Sequence, residues 1–415
     1  MIDLRAARND PETFRAALAR KGAAETFDQL LEADAVWREV TTRRDEARAR
    51  QKAIGKPSSP GEIDEAKTLK AELQGLDARL AEAEARRQEL LDSVPNPPDP
   101  TSPDGDDEDA AEELRRVGEP RAFGFEPLDH LELGERKGWL DMERGARTSG
   151  ARFAYRLGDG ALLELALYRF ALDRLTRKGF VPVLPPVLVR EPSMYGTGFL
   201  PTDDVNIYYV ERDELYLTGT SEVSLAALHM EEKLAEDALP LRYAGYSTCF
   251  RREAGAAGKD TRGMFRVHQF DKVEMFSFVR PEDSPEEHEL LLSIEEEIVA
   301  ELGFPYRVVN VAAGDLGASA SKKYDIEAWM PSQGRYREIT STSNTTDFQA
   351  RRLDVRFRRG DGLDFVHTLN GTAITARSLI AIMENFQDEN GAIAVPSVLE
   401  EFGAPTRAEV GAASA

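Results

Sequence analysis

The sequence predicts an α+β protein in which a two-helix antiparallel coiled-coil arm precedes a domain with a mainly antiparallel sheet flanked by helices. Three observations support this prediction. Apolar residues recur in heptads through an N-terminal region rich in Ala, Glu and Arg, as is typical of a coiled coil. Farther along the chain, strand-like segments follow one another through loops. Amphipathic helices lie between some of these segments.

Length and composition limit the class of protein. A chain of 415 residues exceeds an average domain, which predicts two domains. No apolar run is long enough to span a membrane, and the N-terminus lacks the pattern of a secretory signal. One cysteine, Cys249, and five scattered histidines disfavour a disulfide and a zinc site. These features predict a cytoplasmic enzyme without zinc and without a membrane partner.

The arm is predicted over residues from about 26 to 93. Between its halves, the Gly and Pro residues of "GKPSSPGEID" break the helix and reverse the chain. Two helices of about 28–30 residues then form an antiparallel pair about 40–45 Å long. The heptad residues are Val36, Val40, Ala47 and Ile54 in the first half, and Leu69, Leu73, Leu76, Leu80, Ala83, Leu90 and Val94 in the second, with Arg87 in the one missing position.

The first helix of the arm is basic. Seven Lys and Arg lie between Arg38 and Lys56 against three acidic residues, whereas acids outnumber bases nine to five between Glu62 and Asp92. A solvated helix face is the ordinary interpretation of such charge. On a chain of net charge −22, however, a basic helix favours a phosphate-binding surface. The candidate nucleic-acid contacts are Arg38, Arg43, Arg44, Arg48, Arg50 and Lys52.

A Pro-rich and then acidic stretch, "VPNPPDPTSPDGDDEDAAEEL", predicts a linker after the arm. The predicted domains are therefore 1–110 and 111–415. In the second domain, "DGALLELALYRFALDRLTRKG" predicts a helix that ends at Gly179. A second helix, "SPEEHELLLSIEEEIVAELG", is expected to be capped by Ser284. The segments "YAGYSTCFRRE" and "FRVHQFDKVEMFSFV" predict two strands around a loop.

Arginines and carboxylates are the candidate functional groups, because the Gly-rich nucleotide loops and the Gly-x-Ser-x-Gly elbow are absent from the sequence. They concentrate in "CFRREAGAAGKDTRGMFRVHQFDKVEMF", residues 249–276. Arginines can clamp phosphates, an aromatic ring can stack on a base, and a carboxylate can accept from an amine. A ladder of exposed ion pairs explains the pattern equally well. Strand alternation predicts one sheet face for Arg266, His268, Phe270, Lys272 and Glu274, and one for Arg251 and Glu253.

Segment 249–276 resembles motif 2 of the class II aminoacyl-tRNA synthetases, in the form found in the seryl-tRNA synthetase family. Five further segments resemble that family in its order, and the hairpin resembles its tRNA-binding arm. The resemblance covers nearly the whole chain and implies a tRNA-binding domain over 1–110 and a class II catalytic domain over 111–415. The five segments are "LVREPSMYGTGFLP", "LTGTSEVSLAAL", "KKYDIEAWMP", "YREITSTSNTTDFQARR" and "HTLNGTAITARSLIAIMENFQDENGAIAVPSVL".

The resemblance implies roles around ATP. Arg251 is expected at the α-phosphate, Arg266 at the outer phosphates, and Arg377 over the adenine and γ-phosphate; these three are the implied catalytic residues. Glu338 and Ser341 are expected to carry Mg²⁺, which prefers oxygen ligands. The implied ATP-binding set is Arg251, Arg252, Glu253, Arg266, Val267, Phe270, Glu338, Ile339, Thr340, Ser341 and Arg377.

The resemblance also implies a serine site. Thr220 and Glu222 are expected near the ammonium, and Glu274 is expected to accept the substrate hydroxyl. Alanine and glycine leave that buried carboxylate unpaired, so a rejection of roughly 10⁴ is expected without editing. The implied set is Thr220, Ser221, Glu222, Arg251, Glu274, Asn370 and Thr372.

The implied function is serine activation by ATP and transfer to tRNA(Ser), with tRNA(Sec) a further acceptor where it is present. A homodimer is implied, with Pro186 at its interface, and the arm is expected to read the long variable arm of the tRNA. Two alternatives remain. One is a paralogue that loads a carrier protein, although such relatives usually lack the arm. The other is a non-catalytic coiled-coil interaction protein, which the intact functional residues disfavour; these are Arg251, Glu253, Glu274, Glu338 and Arg377.

Overall fold

The computed structural model describes residues 1–254, 260 and 262–406, and it divides the chain into two compact units between Pro97 and Pro98. Residues 255–259 and 261, in the loop within segment 249–276, lie outside the described residues. No helix in the described part of the chain is long and apolar enough to cross a membrane.

The first unit is helical and contains the predicted hairpin. Ser59 caps the second long helix, and Glu62 accepts in return from the Ser59 N–H, so the two residues form a capping box after the turn. The hairpin prediction is confirmed, with helices slightly longer than expected. The four helices are α1 (Leu4–Asn9), α2 (Pro11–Ala19), α3 (Ala24–Ile54) and α4 (Pro60–Ser93).

Most heptad residues of α4 and part of those of α3 are buried, whereas Leu80 and Ala83 are half-buried. Half of the surface of Val36 is exposed. The contact line of α3 runs instead through Phe27, Leu30 and Asp34, which are fully buried. The prediction that Val36 is a buried heptad residue is therefore wrong, because Asp34 occupies the buried position near it.

Arg87, in the missing heptad position, contacts Asp34 across the hairpin. Its Nε lies 2.9 Å from Asp34 Oδ1, and Arg38 Nε lies 3.0 Å from Oδ2. The Arg87 guanidinium also lies 4.4 Å from the ring centroid of Trp37. A buried carboxylate is tolerated only when it is paired in this way.

The second unit contains the remaining helices and all strands that the structure describes. The helices are α5 (His130–Lys137), α6 (Met142–Ser149), α7 (Gly158–Arg177), α8 (Glu191–Thr197), α9 (Glu222–Ala226), α10 (Ser284–Leu302), α11 (Phe348–Leu353) and α12 (Ala376–Asn385). The strands are β1 (Glu112–Val117), β2 (Leu140–Asp141), β3 (Tyr155–Arg156), β4 (Val181–Val183), β5 (Leu188–Val189), β6 (Tyr208–Val210), β7 (Leu215–Leu217), β8 (Lys233–Leu234), β9 (Leu241–Phe250), β10 (Gln269–Val279), β11 (Tyr306–Asn310), β12 (Lys322–Met330), β13 (Arg335–Asn344), β14 (Arg356–Arg359), β15 (Gly362–Phe365) and β16 (His367–Thr375).

The main sheet has eight strands in the order β1-β11-β12-β13-β16-β10-β9-β4. Every pair in it is antiparallel except β4–β9, which confirms the predicted fold class. Helices α7, α10 and α12 contribute to the large core against this sheet. Strand alternation places Val273 and Met275 of β10 in that core and directs Glu274 to the opposite face.

Three local predictions are wrong. β9 ends at Phe250 and β10 begins at Gln269, so Arg266 and His268 do not share a strand face with Glu274. Arg251 and Glu253 likewise lie beyond the end of β9, and Glu253 has a φ of 51°, a left-handed conformation that is not found in a regular strand. Ser284 is not an N-cap: Asp283 takes that position, and the Ser284 hydroxyl accepts from Asn344 Nδ2 at 2.7 Å.

The acidic segment after the arm belongs to the second unit, so the structure differs from the predicted boundary at 110/111. Asp99 N–H donates to Ser321 O at 2.8 Å, and Ala313 N–H donates to Pro103 O at 2.9 Å. β1 then pairs with β11 as the edge of the main sheet. The amino-acid composition of the segment cannot predict such backbone pairing, because it reflects only the charge and the proline content.

Replacing Arg87 by Leu should destabilise the hairpin by about 2 kcal/mol, because Asp34 would lose its closest partner while remaining buried. The double variant Asp34→Leu with Arg87→Leu should recover most of that loss, since both charges are then absent. Hydrogen exchange of the α3 and α4 amides measures the effect. Arg86→Leu is the matched control, because Arg86 is about half exposed and pairs only with Glu89. Equal loss of protection in Arg87→Leu and Arg86→Leu would contradict the assigned role of the buried pair.

Candidate active site

A cavity of about 280 Å³ lies within the second unit, beside the central strands of the main sheet. Strands β10, β13 and β16 form its floor, and the segments flanking β9 and β10 form its walls. The start of α12 closes one end. The lining residues are Phe199, Thr220, Glu222, Arg251, Glu253, Met264, Phe265, Arg266, Val267, Phe270, Lys272, Glu274, Glu338, Ile339, Ser341, Asn370, Thr372, Thr375, Ala376 and Arg377.

The cavity brings together nearly all of the predicted site residues, although they lie far apart in the sequence. Three of them do not line it. Arg252 is exposed outside the cavity. The Thr340 side chain lies on the opposite face of the sheet, where its hydroxyl donates to Glu295 Oε2 at 3.1 Å. The Ser221 hydroxyl donates to Gly245 O at 3.4 Å.

The predicted arginines are held by acceptors at one end of the cavity. Arg251 Nε donates to Gly219 O at 3.1 Å, and its guanidinium lies 5.2 Å from the ring centroid of Phe270. Arg266 Nη1 lies 2.5 Å from Glu253 Oε2. These contacts orient the guanidinium groups before any ligand is bound.

Arg377 contacts an aromatic residue that sequence reasoning missed. Its guanidinium lies 4.8 Å from the ring centroid of Phe265, and that of Arg337 lies 3.9 Å from the same centroid. Arg377 Nη1 also donates to Glu338 O at 3.0 Å. The only signal for Phe265 was its place beside Arg266 in the predicted nucleotide segment.

The cations at this end of the cavity affect one another. Burial, together with the nearby charges of Arg251 and Arg266, lowers the pKa of Arg377 from its ordinary value, although Glu338 opposes this shift. Desolvation of Glu338 is outweighed by Lys323, Arg377 and Arg251, which hold the pKa of its carboxyl well below the usual range. An ionised carboxylate among several guanidinium groups is suited to bind a polyanion and a cation together.

Lys272 links two walls at the other end of the cavity. Its Nζ donates to Thr220 Oγ1 at 2.7 Å and lies 2.5 Å from Glu274 Oε2. Thr372 Oγ1 lies 3.5 Å from the same carboxylate oxygen. Lys272 and Glu274 are both almost fully buried, so the pair is shielded from water. The predicted site lists omitted Lys272, although it alternates with Phe270 and Glu274 along the strand.

Glu222 is a second buried carboxylate at this end. Gln349 Nε2 donates to its Oε1 at 2.7 Å, and Gln349 Oε1 in turn accepts from Thr368 at 3.0 Å. Burial and the charge of Glu274 raise the pKa of Glu222 to about 7. Gln349 lies 127 positions from Glu222, and its role in orienting the carboxylate has no local signal in the sequence.

The residues that could hold a metal ion are few. Within 1–254, 260 and 262–406, no group of three or more His, Cys, Asp or Glu residues is arranged to bind one. Glu338 and Ser341 nevertheless both line the cavity beside the arginines. One ionised carboxylate and one hydroxyl fit a Mg²⁺ ion that takes its other ligands from phosphate oxygens and water.

Comparison with known proteins gives matches over both units. Residues 1–98 match the model of the seryl-tRNA synthetase N-terminal domain, and residues 208–386 match that of the tRNA synthetase class II core domain (G, H, P, S and T). The serine–tRNA ligases of Thermobifida fusca and Streptomyces coelicolor are 51% and 50% identical to this chain. In both alignments the match covers 97% of each protein.

Two solved structures are also similar over nearly the full chain. The seryl-tRNA synthetase of Pyrococcus horikoshii, complexed with ATP, has a TM-score of 0.93 and 40% identity, with 99% of each chain covered. The cytoplasmic serine–tRNA ligase of Naegleria fowleri, in complex with AMP, has a TM-score of 0.87 and 35% identity, with 96% of each chain covered.

Replacing Glu222 by Gln should stabilise the protein at pH 8 by about 2 kcal/mol, because the buried carboxylate is then no longer ionised. The folded-state pKa of Glu222 is raised to about 7. Wild-type stability should therefore fall as the pH rises from the unfolded-state pKa to about 7, relative to the variant. Below that window the two proteins should be equally stable. Denaturant unfolding across this pH range tests the prediction, and a difference that does not change with pH would contradict it.

Proposed function

This chain belongs to the seryl-tRNA synthetase family, and from that membership we propose how its cavity performs serine–tRNA ligation. It is an ATP-dependent class II aminoacyl-tRNA synthetase that charges tRNA with serine. One observation supports the residue roles most directly. A single cavity joins a cluster of guanidinium groups to a pair of buried carboxylates. The first end suits a nucleotide triphosphate, and the second suits a small zwitterion with a hydroxyl group.

Arg251, Arg266 and Arg377 bind the triphosphate in this proposal. The carboxylate oxygen of serine attacks the α-phosphorus, an acyl–phosphate bond forms, and the bond to pyrophosphate breaks. No proton needs to move, because the nucleophile is already an anion. The residues act by holding two anions together in line and by stabilising the charge of the transition state. Glu338 and Ser341 are the residues that would hold Mg²⁺, which when bound supplies further positive charge to the phosphate oxygens.

The other end of the cavity recognises serine by charge and by hydrogen bonding. Lys272 pairs with Glu274, whereas Glu222 is a buried carboxyl group whose pKa is raised to about 7. The serine ammonium supplies a positive charge beside Glu222. Lys272 and Thr372 both approach Oε2 of Glu274, so Oε1 remains available for the substrate hydroxyl. Asn370 closes the pocket. In the second step, the seryl group passes from the adenylate to the terminal ribose hydroxyl of the tRNA, and AMP leaves.

The hairpin of α3 and α4 is proposed to bind tRNA. Arg43, Arg48 and Arg50 are each about half exposed, and their partners are surface carboxylates at 3.6, 3.2 and 3.0 Å. Exposed pairs of this kind contribute little stability, so RNA phosphates can replace the carboxylates. Lys52 is exposed on the same helix. Arg38 and Arg44 are weaker candidates, because Arg38 contacts the buried Asp34 and the Arg44 side chain is only 21% exposed.

A homodimer is proposed on the apolar surface around Pro186. Five large apolar side chains are exposed on α7, on β4 and β5 and on the segment between these strands, and exposed apolar surface is typical of an interface. Sedimentation should give twice the mass of one chain, and Leu165→Asp should shift it to the single-chain mass. A wild-type protein with the single-chain mass would rule the dimer out. The exposed residues are Leu162, Leu165, Val181, Leu184 and Leu188.

The activity test separates the two units. Serine-dependent exchange of pyrophosphate into ATP should occur without tRNA and should require Mg²⁺. Removing residues 41–82, with a short Gly-rich turn in their place, leaves the buried base of the hairpin intact. This variant should retain exchange within about threefold and lose charging of tRNA(Ser) by about 100-fold or more. Survival of charging would show that the arm does not bind the tRNA, whereas absence of exchange in the wild type would refute the proposed chemistry.

Glu274→Ala should raise the KM for serine and reduce the preference for serine over alanine by about 100-fold or more, because the hydroxyl acceptor is lost. Exchange assays with each amino acid measure the ratio. Glu389→Ala, an exposed glutamate outside the cavity, is the control. An unchanged serine-to-alanine ratio in Glu274→Ala would refute the role. Charging of tRNA(Sec) and a cytoplasmic location stay predictions.

A further inference from the structure

The segment that enters β10 is held from behind by a buried histidine that does not line the cavity. His130, at the start of α5, is 6% exposed, and Glu384 of α12 is fully buried beside it. The backbone N–H of Met264 donates to His130 Nε2 at 3.1 Å. The contact joins two regions separated by 134 positions in the chain.

Glu384 determines which nitrogen of His130 accepts. Its Oε1 lies 3.2 Å from the His130 backbone N and 3.1 Å from Nδ1. Its Oε2 accepts from the backbone N–H and the hydroxyl of Ser332, at 3.2 and 2.7 Å. Because a carboxylate only accepts, Nδ1 carries the proton, and Nε2 keeps its lone pair for the Met264 N–H.

Gly263 allows the close approach of the two segments. Its φ of 74° lies in the left-handed region, and a Cβ at this position would lie 2.2 Å from His130 Nε2. Any side chain would therefore displace the imidazole and remove the hydrogen bond to Met264. The hydrogen bond between Met264 and His130 therefore depends both on the imidazole and on the absence of a side chain at Gly263.

The hydrogen bond positions two residues that line the cavity, Met264 and Phe265. The guanidinium groups of Arg337 and Arg377 both lie against the Phe265 ring. Arg337 is also paired with Asp260 at 2.6 Å, so it fixes a second point of the same segment. A shift of Met264 would therefore move the aromatic surface against which Arg377 rests.

We propose that His130 and Glu384 are positioning residues for the ATP end of the active site. They fix the Met264 backbone, and through it the Phe265 ring and the guanidinium of Arg377, in the geometry that accepts the nucleotide. They touch neither substrate. This inference rests on the proposed function, in which Arg377 contacts ATP, and it adds two residues from α5 and α12 to that site.

The test compares His130→Phe with His130→Gln. Phenylalanine keeps the ring shape and loses both hydrogen bonds, whereas the glutamine amide can donate to Glu384 and accept from Met264. In serine-dependent ATP–pyrophosphate exchange, His130→Phe should raise the KM for ATP about tenfold and leave the KM for serine within about twofold. His130→Gln should stay within about threefold of the wild type in both. His229→Phe is the matched control, since His229 makes a comparable pair with Glu232 outside the cavity.

Gly263→Ala provides an independent readout that does not alter the histidine. This substitution should also raise the KM for ATP. Its effect should be smaller in the His130→Ala background, because no imidazole is then present to clash with the new methyl group. Additive effects would overturn the proposal, as would a folded His130→Phe protein with an unchanged KM for ATP. Equal losses for ATP and serine would indicate a purely structural role and would also overturn it. Failure of exchange in the wild type would instead refute the proposed function.

Discussion

The catalytic unit depends on keeping several guanidinium groups close together in a cavity that is partly removed from water. Burial disfavours a charged guanidinium group, and like charges nearby add to that cost; both effects lower the pKa of Arg377. The fold compensates with fixed acceptors: a backbone carbonyl for Arg251 and a carboxylate for Arg266. A bound triphosphate can therefore exchange these weak contacts for strong charge-assisted hydrogen bonds. The arginines are already oriented, so they need little reorganisation on binding.

At the serine end of the cavity, the buried ionisable groups are mainly carboxyl groups instead of guanidinium groups. Lys272 pairs with Glu274, and burial raises the pKa of Glu222 to about 7, so a substrate cation entering the pocket favours the ionised form of Glu222. The main sheet makes this possible because alternation along β10 separates Glu274 from the apolar core beneath it. The supports lie behind the site. Gln349 orients Glu222, and the His130–Glu384 pair contacts the segment that precedes β10.

The hairpin uses ion pairs in two different ways. Asp34 and Arg87 are enclosed between the helices, where an unpaired charge would be costly, so their contact specifies how α3 and α4 align. Arg43, Arg48 and Arg50 pair with carboxylates at the surface, where water and salt weaken the contact. Burial, and not the charge pattern, separates a structural arginine from one that remains available to a ligand.

Features that follow from local periodicity and residue type could be predicted from the chain. The heptads of α4 predicted the hairpin, because their spacing is a local property. The residue types of segment 249–276 fitted a nucleotide site and a ladder of exposed ion pairs equally well, and the resemblance of this segment to a known family favoured the nucleotide site. The tertiary structure was needed to establish that Arg251 and Glu253 lie beyond the end of β9, that Val36 lies outside the helix contact, and that the acidic segment belongs to the second unit. It also decided the contact between His130 and Met264. These features depend on contacts between residues 53 or more positions apart or on where a strand ends, and neither leaves a periodic trace in the chain.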